Sequence, residues 1–209
     1  MFVQLRSLRL MILWQVSLFL VLLGFHNARA AESPLEIVRT TTNQALTVLQ
    51  NGAPQGKNKV DKMWNIVLPR FDTQEIAQRS LGVHWNSLTE EQKNNFVQLF
   101  TQLVKKNYSG TLERYTKDAK FFFDQERIEG DTAEVQTRIQ TPAQDNSFSV
   151  TYRMHRQGDK WLVYDVVAEN VSMVRNYRTQ FDRIMGKSSY EGLVEALQKK
   201  LQEIETAPS

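Results

Sequence analysis

Apolar residues along this chain recur first at helical spacing, then at every second position, then at helical spacing again. Ser33-Pro34 opens a helix with Pro at its first position, and Leu35, Val38, Ala45 and Leu49 fall on one face of it. The stretch from Asn51 to Asn58 is rich in turn residues and reads as a loop. A short helix follows with Val60, Met63, Trp64 and Val67, ending at Pro69. Asp72-Thr73-Gln74-Glu75 is a capping box, with Phe71 and Ile76 at the positions of a hydrophobic staple, and this helix stops at Gly82. Thr89-Glu90-Glu91-Gln92 opens a long helix through Phe96, Leu99, Phe100 and Leu103 towards Tyr108. Val97 and Val104 widen its apolar arc, which implies more than one neighbour, or a neighbour and a ligand.

From Lys120 the period becomes two. Strands are predicted over Phe121 to Ile128, Thr132 to Gln140, Ser147 to His155 and Trp161 to Ala168. Glu129-Gly130-Asp131 and Gln157-Gly158-Asp159-Lys160 are tight hairpin links, and Pro142 to Asn146 is a looser one, so the strands form an antiparallel meander. In the third strand Phe148, Val150, Tyr152 and Met154 share a dry face, while Ser149, Thr151, Arg153 and His155 share a wet one. The fourth strand runs into a helix (Val171, Val174, Phe181, Ile184) through Glu169-Asn170, with no Gly or Pro to mark a turn. A last helix, opened by Ser188-x-x-Glu191, carries Leu193, Leu197, Leu201 and Ile204. The predicted architecture is α+β: a curved four-stranded antiparallel sheet covered by several helices that enclose a hydrophobic pocket, a cone of the NTF2-like or cystatin-like kind.

The N-terminus changes how the charge is read. Arg6 and Arg9 precede an apolar run from Leu10 to Phe25, and Ala28-Arg29-Ala30 is a small-residue cleavage signature. Residues 1–30 are thus expected to be a cleaved signal peptide, shorter than the ~20 apolar residues of a membrane span, and 31–209 a single domain. The chain has 26 basic and 23 acidic residues; Arg6, Arg9 and Arg29 leave with the signal, so the mature domain is expected to be neutral. That removes the electrostatic case for nucleic acid. The chain has no Cys, so the exported domain relies on its apolar core and offers no thiol for lipid attachment. It is expected to be an unanchored monomer.

Enzyme signatures are sparse. His84 and His155 are far apart and no acidic cluster joins them at metal spacing, so no metal or cofactor is expected. No nucleophile elbow, P-loop or dinucleotide fingerprint occurs. One enzymatic alternative is an acid or base at Asp165, in the mouth of a cone-shaped fold; against it, Asp165 can pair with Arg153 or Lys160. Arg175 and Arg178 read either as a solvated helix face or as holders of an anion near the strand–helix joint.

Several stretches together resemble one family. They are Phe71-Asp72 with Ile76-Ala77, Ser80-Leu81-Gly82 and Trp85, then Leu88-Thr89-x-x-Gln92 and Phe96-x-x-x-Phe100. Tyr108-x-x-x-Leu112-x-x-Tyr115 and Trp161-Leu162-Val163-Tyr164-Asp165-Val166 come next, leading into Glu169-Asn170-Val171-Ser172-Met173, Asn176-Tyr177-Arg178-x-Gln180-Phe181 and Gly192-Leu193. Their order is similar to that of the MlaC or toluene-tolerance family of periplasmic phospholipid-binding proteins. The resemblance implies a soluble carrier in the Gram-negative periplasm that maintains outer-membrane lipid asymmetry. It would shuttle phospholipid between an outer-membrane lipoprotein–porin complex and an inner-membrane ABC transporter with an MCE protein. Related members handle hopanoid-type lipids, which is the alternative cargo. The pocket is expected between the dry sheet face and the helices, lined by Tyr108, Leu112, Phe148, Val150, Tyr152, Val166, Val171 and Val174.

Overall fold

In the computed structural model, the residues described are 32–50, 57–116, 119–141 and 147–206. The expected signal segment, most of the 51–58 loop and the 142–146 link lie outside them. Helix α1 (Pro34–Gln50) starts where Pro34 places it, and Ser33 Oγ accepts the Glu36 amide at 3.3 Å. Helix α2 (Lys57–Val67) takes in Lys57 and Asn58, two residues expected in the loop, and a short 3-10 turn (Leu68–Arg70) follows it. Helix α3 (Thr73–Leu81) is capped by Asp72, whose carboxylate accepts the Glu75 amide at 2.9 Å. It stops at Gly82, where φ is +58°, and Arg178 Nε donates to the Arg79 carbonyl at 2.7 Å beside that stop.

A second 3-10 segment (Gly82–Ser87) leads into the long helix α4 (Glu90–Thr116). Both arms of its capping box are made: Gln92 N to Thr89 Oγ1 at 3.2 Å, and Thr89 N to Gln92 Oε1 at 3.0 Å. The last two helices are α5 (Met173–Met185) and α6 (Tyr190–Thr206). Helix α6 begins one residue later than Ser188-x-x-Glu191 implies. Ser188 Oγ turns back to the Ile184 carbonyl at 3.1 Å, and a hydrogen bond from Ser189 holds the Glu191 carboxyl below its usual range.

The sheet has five strands in chain order, not four: β1 (Lys120–Glu129), β2 (Thr132–Gln140), β3 (Phe148–Gln157), β4 (Lys160–Ala168) and β5 (Val171–Ser172). Every adjacent pair is antiparallel. Asp124 in β1 and Tyr164 in β4 are extra residues at register shifts, and such bulges bend a sheet. The fifth strand is the strand–helix joint itself. Ala168 pairs with Val171, so Glu169-Asn170 is a two-residue hairpin loop, with φ of +47° and +65°. Both central residues in the left-handed region define a type I′ turn. The turn carries no Gly because Asn tolerates that region and Glu169 is held in place: its carboxylate accepts both the amide and the hydroxyl of Ser149.

Buried apolar side chains fall into three clusters among the described residues. The largest is helical and joins α3 to α6 through Ile76, Leu81, Trp85, Phe96, Phe100, Val174, Tyr177, Phe181 and Leu193. Inside it Phe100 meets Tyr177 edge-on at 4.8 Å between ring centroids, and Phe181 at 5.2 Å. The second cluster presses Ile37 and Val38 of α1 onto Ala133, Val135, Met154, Trp161 and Val163 of the sheet. The third packs Ala45 of α1 on Met63 and Trp64 of α2. Phe71 belongs to the margins of the first two and bridges to Val163, covering the β4 edge that β5 leaves open.

The hairpin makes a direct prediction. Asn170→Val forces a β-branched residue into the left-handed region and should lower the unfolding free energy by about 1–2 kcal/mol. Asn170→Gly should leave it equal or slightly higher. Urea unfolding of both variants measures the difference.

Candidate functional site

Residues paired across neighbouring strands point to the same side of a sheet. The registers therefore define the inner face, the one α1 covers, row by row. One row runs Phe123, Thr137, Val150, Ala168, Val171. The next runs Glu126, Val135, Tyr152, Val166, and the one beyond runs Ile128, Ala133, Met154, Val163. At the other end Phe121, Ile139 and Phe148 form a further row. Five of the eight expected site residues, Phe148, Val150, Tyr152, Val166 and Val171, thus share one sheet face in adjoining rows.

Helix α1 fills only part of that face. Its N-terminal end is fixed by Glu126, whose carboxylate accepts the Leu35 amide at 2.8 Å, a favourable charge at a helix start. From there Ile37 and Val38 pack on the Ala133, Val135, Met154, Trp161 and Val163 end, with Tyr152 and Val166 at the margin. Val150 is buried yet joins none of the three clusters among the described residues, Phe148 is half-buried, and Ala168 and Val171 are exposed. Burial pushes the Tyr152 hydroxyl up to about 12, so it remains a protonated donor at any physiological pH.

The opposite wall is helical. Tyr108 and Leu112 are one turn apart on α4 and pack at the margin of the Ala45, Met63 and Trp64 cluster. Trp64 Nε1 donates to Ser109 Oγ at 2.9 Å, which ties α2 to this part of α4. Burial, with Tyr177 close by, raises the Tyr108 hydroxyl, and Tyr177 receives the Asn107 amide at 3.0 Å. Helix α1 touches α2, α4, β1 and β2, so it links the sheet face to this wall.

Two expected residues need correction. Val174 lies in the helical core with Tyr177 and Phe181, because α5 packs on α3 and α6 instead of swinging across the inner face. Val171 does share the inner face, but it is 61% exposed and marks the face's open edge, not its interior. Its neighbour Ser172 points the other way and is buried. The reason is Asp165, which accepts Ser172 Oγ at 2.7 Å and the Val174 amide at 3.1 Å. Arg153 Nη1 stands 3.4 Å from the same carboxylate. Asp165 is therefore a tether between β4 and the start of α5, with both oxygens engaged, in the surroundings weighed against a catalytic role. Arg178 is spent on the Arg79 carbonyl, while Arg175 is exposed.

The sequence reading missed the hydroxyls of this region. Thr41, Thr137 and Thr141 are all buried. Thr41 was detectable, since it sits in the apolar stripe of α1 between Val38 and Ala45, where a polar residue needs a reason. An open groove of about 450 Å³ lies at the α2–α3 link, lined by Asn65, Leu68, Pro69, Phe71, Thr73 and Thr101. Among the described residues, no group of three His, Asp or Glu side chains could hold a metal, and no helix is long and apolar enough to cross a membrane.

Comparison with known proteins agrees with the resemblance in the sequence. The profile of the MlaC protein family matches residues 39–199, taking in the motifs from Phe71-Asp72 to Gly192-Leu193. The chain is 26% identical over 200 residues to the intermembrane phospholipid transport system binding protein MlaC of Haemophilus influenzae, covering 89% of this chain and 92% of that protein. It is 23% identical over 164 residues to the toluene tolerance protein ttg2D of Pseudomonas putida, covering 76% of each. Its fold is similar to that of the phospholipid-binding protein of Ralstonia solanacearum solved with a phospholipid. The TM-score is 0.75 at 21% identity, over 84% of this chain and 99% of that one.

The tether can be tested by itself. Asp165→Ala leaves the Ser172 hydroxyl and the Val174 amide buried without an acceptor and Arg153 without its inner partner. It should cost about 3–5 kcal/mol in urea unfolding. Asp165→Asn keeps one acceptor and should cost less, about 1–2 kcal/mol.

Proposed function

We propose, from the premise that this chain belongs to the MlaC family, that it is a periplasmic carrier of phospholipid that holds acyl chains between the inner sheet face and the α1, α2 and α4 wall. The observation that carries this reading is the mismatch on the inner face. Apolar rows through Phe148 and Val150 lie beyond the cluster that α1 packs on the sheet, at whose margin Tyr152 and Val166 sit. Relatives named for phospholipid transport and a fold neighbour that binds phospholipid support the choice of ligand.

Energetics favour a carrier over free diffusion. Two acyl chains of ~30 methylenes together cost on the order of 25 kcal/mol to expose to water, at ~0.8 kcal/mol each. A protein interior removes that barrier without trapping the lipid, because a membrane hides the same methylenes equally well. Exchange at either membrane then runs near balance. A mature domain of no net charge and without Cys suits a carrier that must leave the membranes it serves. In this reading it hands lipid between an outer-membrane lipoprotein–porin complex and an inner-membrane ABC transporter with an MCE protein.

The test is the lipid content of the mature protein purified from the periplasm. Organic extraction and mass spectrometry should find glycerophospholipid in amounts comparable to the protein. Purification without lipid removes the carrier reading. Val171→Asp puts a carboxylate on the open edge of the same face, where its exposure leaves folding intact. It should reduce the extracted lipid several-fold, whereas wild-type lipid content would take the β4–β5 edge out of the site.

A further inference from the structure

The inner face is apolar but for Glu126 and a few hydroxyls, and two buried hydroxyls there have nothing to bond. Thr41 is 8% exposed and Thr141 4%, and neither Oγ1 has a hydrogen-bond partner among the described residues. Thr137 shows the ordinary arrangement on this face: buried to the same degree, it donates to the Val150 carbonyl at 2.9 Å. Thr41 departs from its own helix as well. A threonine within a helix commonly returns its hydroxyl to the carbonyl four residues back. In α1, Thr40 does so to Glu36 at 2.7 Å and Thr47 to Asn43 at 2.8 Å, but Thr41 does not.

The two threonines lie toward the same end of the sheet. Thr41 sits one turn after Ile37 and Val38, which press on the sheet, and one turn before Ala45, which presses on α2. Thr141 stands one residue past β2, in step with the inward file of Ala133, Val135, Thr137 and Ile139. Leu35 lies at Glu126 and Arg39 over the Phe123 ring, so α1 runs along β1 toward the end of the sheet that Thr141 follows.

A buried hydroxyl without an acceptor is unfavourable until something supplies one. An anion is a poor candidate, since the side chains around the threonines are apolar and Arg39, although its buried Nε makes no hydrogen bond, is already charge-paired. Arg39 pairs with Glu36 at 3.4 Å and stacks over the Phe123 ring at 5.0 Å. A neutral acceptor attached to a long apolar group fits, and the carbonyl of an acyl ester is that group. We propose that Thr41 and Thr141 donate to the ester carbonyls at the head of the acyl chains. They thereby make the site selective for acyl esters over ether-linked or polycyclic lipids of the same bulk. The inference rests on the carrier reading and narrows it to a ligand class.

The experiment incubates delipidated mature protein with vesicles of equal parts diester and diether phosphatidylethanolamine, matched in chain length. The lipid bound after re-isolation is then counted by mass spectrometry. Wild-type protein should hold the diester over the diether by about tenfold, the ratio two neutral hydrogen bonds provide. The double variant Thr41→Val, Thr141→Val keeps side-chain volume and should lose the preference, holding the two lipids in equal amounts. Thr41→Ser with Thr141→Ser should restore it. Equal uptake of both lipids by wild-type protein, or a preference that survives the valine variant, overturns the inference and leaves the carrier reading standing. Uptake of neither lipid overturns both. Lipid-free valine variant should melt no lower than wild type; a clear drop would mean that the hydroxyls bond within the protein, and would also overturn the inference.

Discussion

The side chains that α1 lays on the sheet do not reach the end of its apolar inner face, and the rest of the fold is arranged around that shortfall. Ile37 and Val38 seal the end holding Ala133, Met154 and Val163, while Val150 and Phe148 lie beyond them. An apolar sheet face left open to water is unfavourable in proportion to its area. Protein interiors are normally packed to crystal density, so an incompletely filled face is a feature that folding alone does not favour.

Such a face requires stability from elsewhere, and the helical core supplies it. The aromatic group of Phe96, Phe100, Tyr177 and Phe181 is assembled from α4 and α5 without any sheet residue. Three links fasten that core to the sheet. Asp165 holds the start of α5, Phe71 runs beside Val163, and His155 Nε2 meets Asp72 Oδ2 at 3.0 Å. Asp165 and Phe71 act on β4, and His155 on the adjoining end of β3.

Much of this was legible because it is local. Capping at Thr89-Gln92, the Gly82 stop, the hairpin links at Gly130 and Gly158, and the alternation that separates Phe148, Val150, Tyr152 and Met154 from Ser149, Thr151 and Arg153 all depend on neighbours within a few residues. The same alternation put Phe148, Val150 and Tyr152 on one face. The joint at Glu169-Asn170 was the local exception: a type I′ turn without Gly is invisible to turn chemistry, because Glu169 is held there by Ser149, twenty residues away.

Apart from the short β5, the sequence by itself determined which residues are strand, which are helix and which side of each strand is dry, since periodicity is a property of one element at a time. Tertiary structure alone decided what each apolar stripe faces. A helix stripe carries no label for its partner, so α5 could have covered the sheet with Val174; packing against α3 and α6, together with the Asp165 tether, drew it into the helical core instead. The same holds for Thr41. Its place in an apolar stripe was visible, but that its hydroxyl finds no acceptor depends on every chain segment around it, and only the folded protein specifies those.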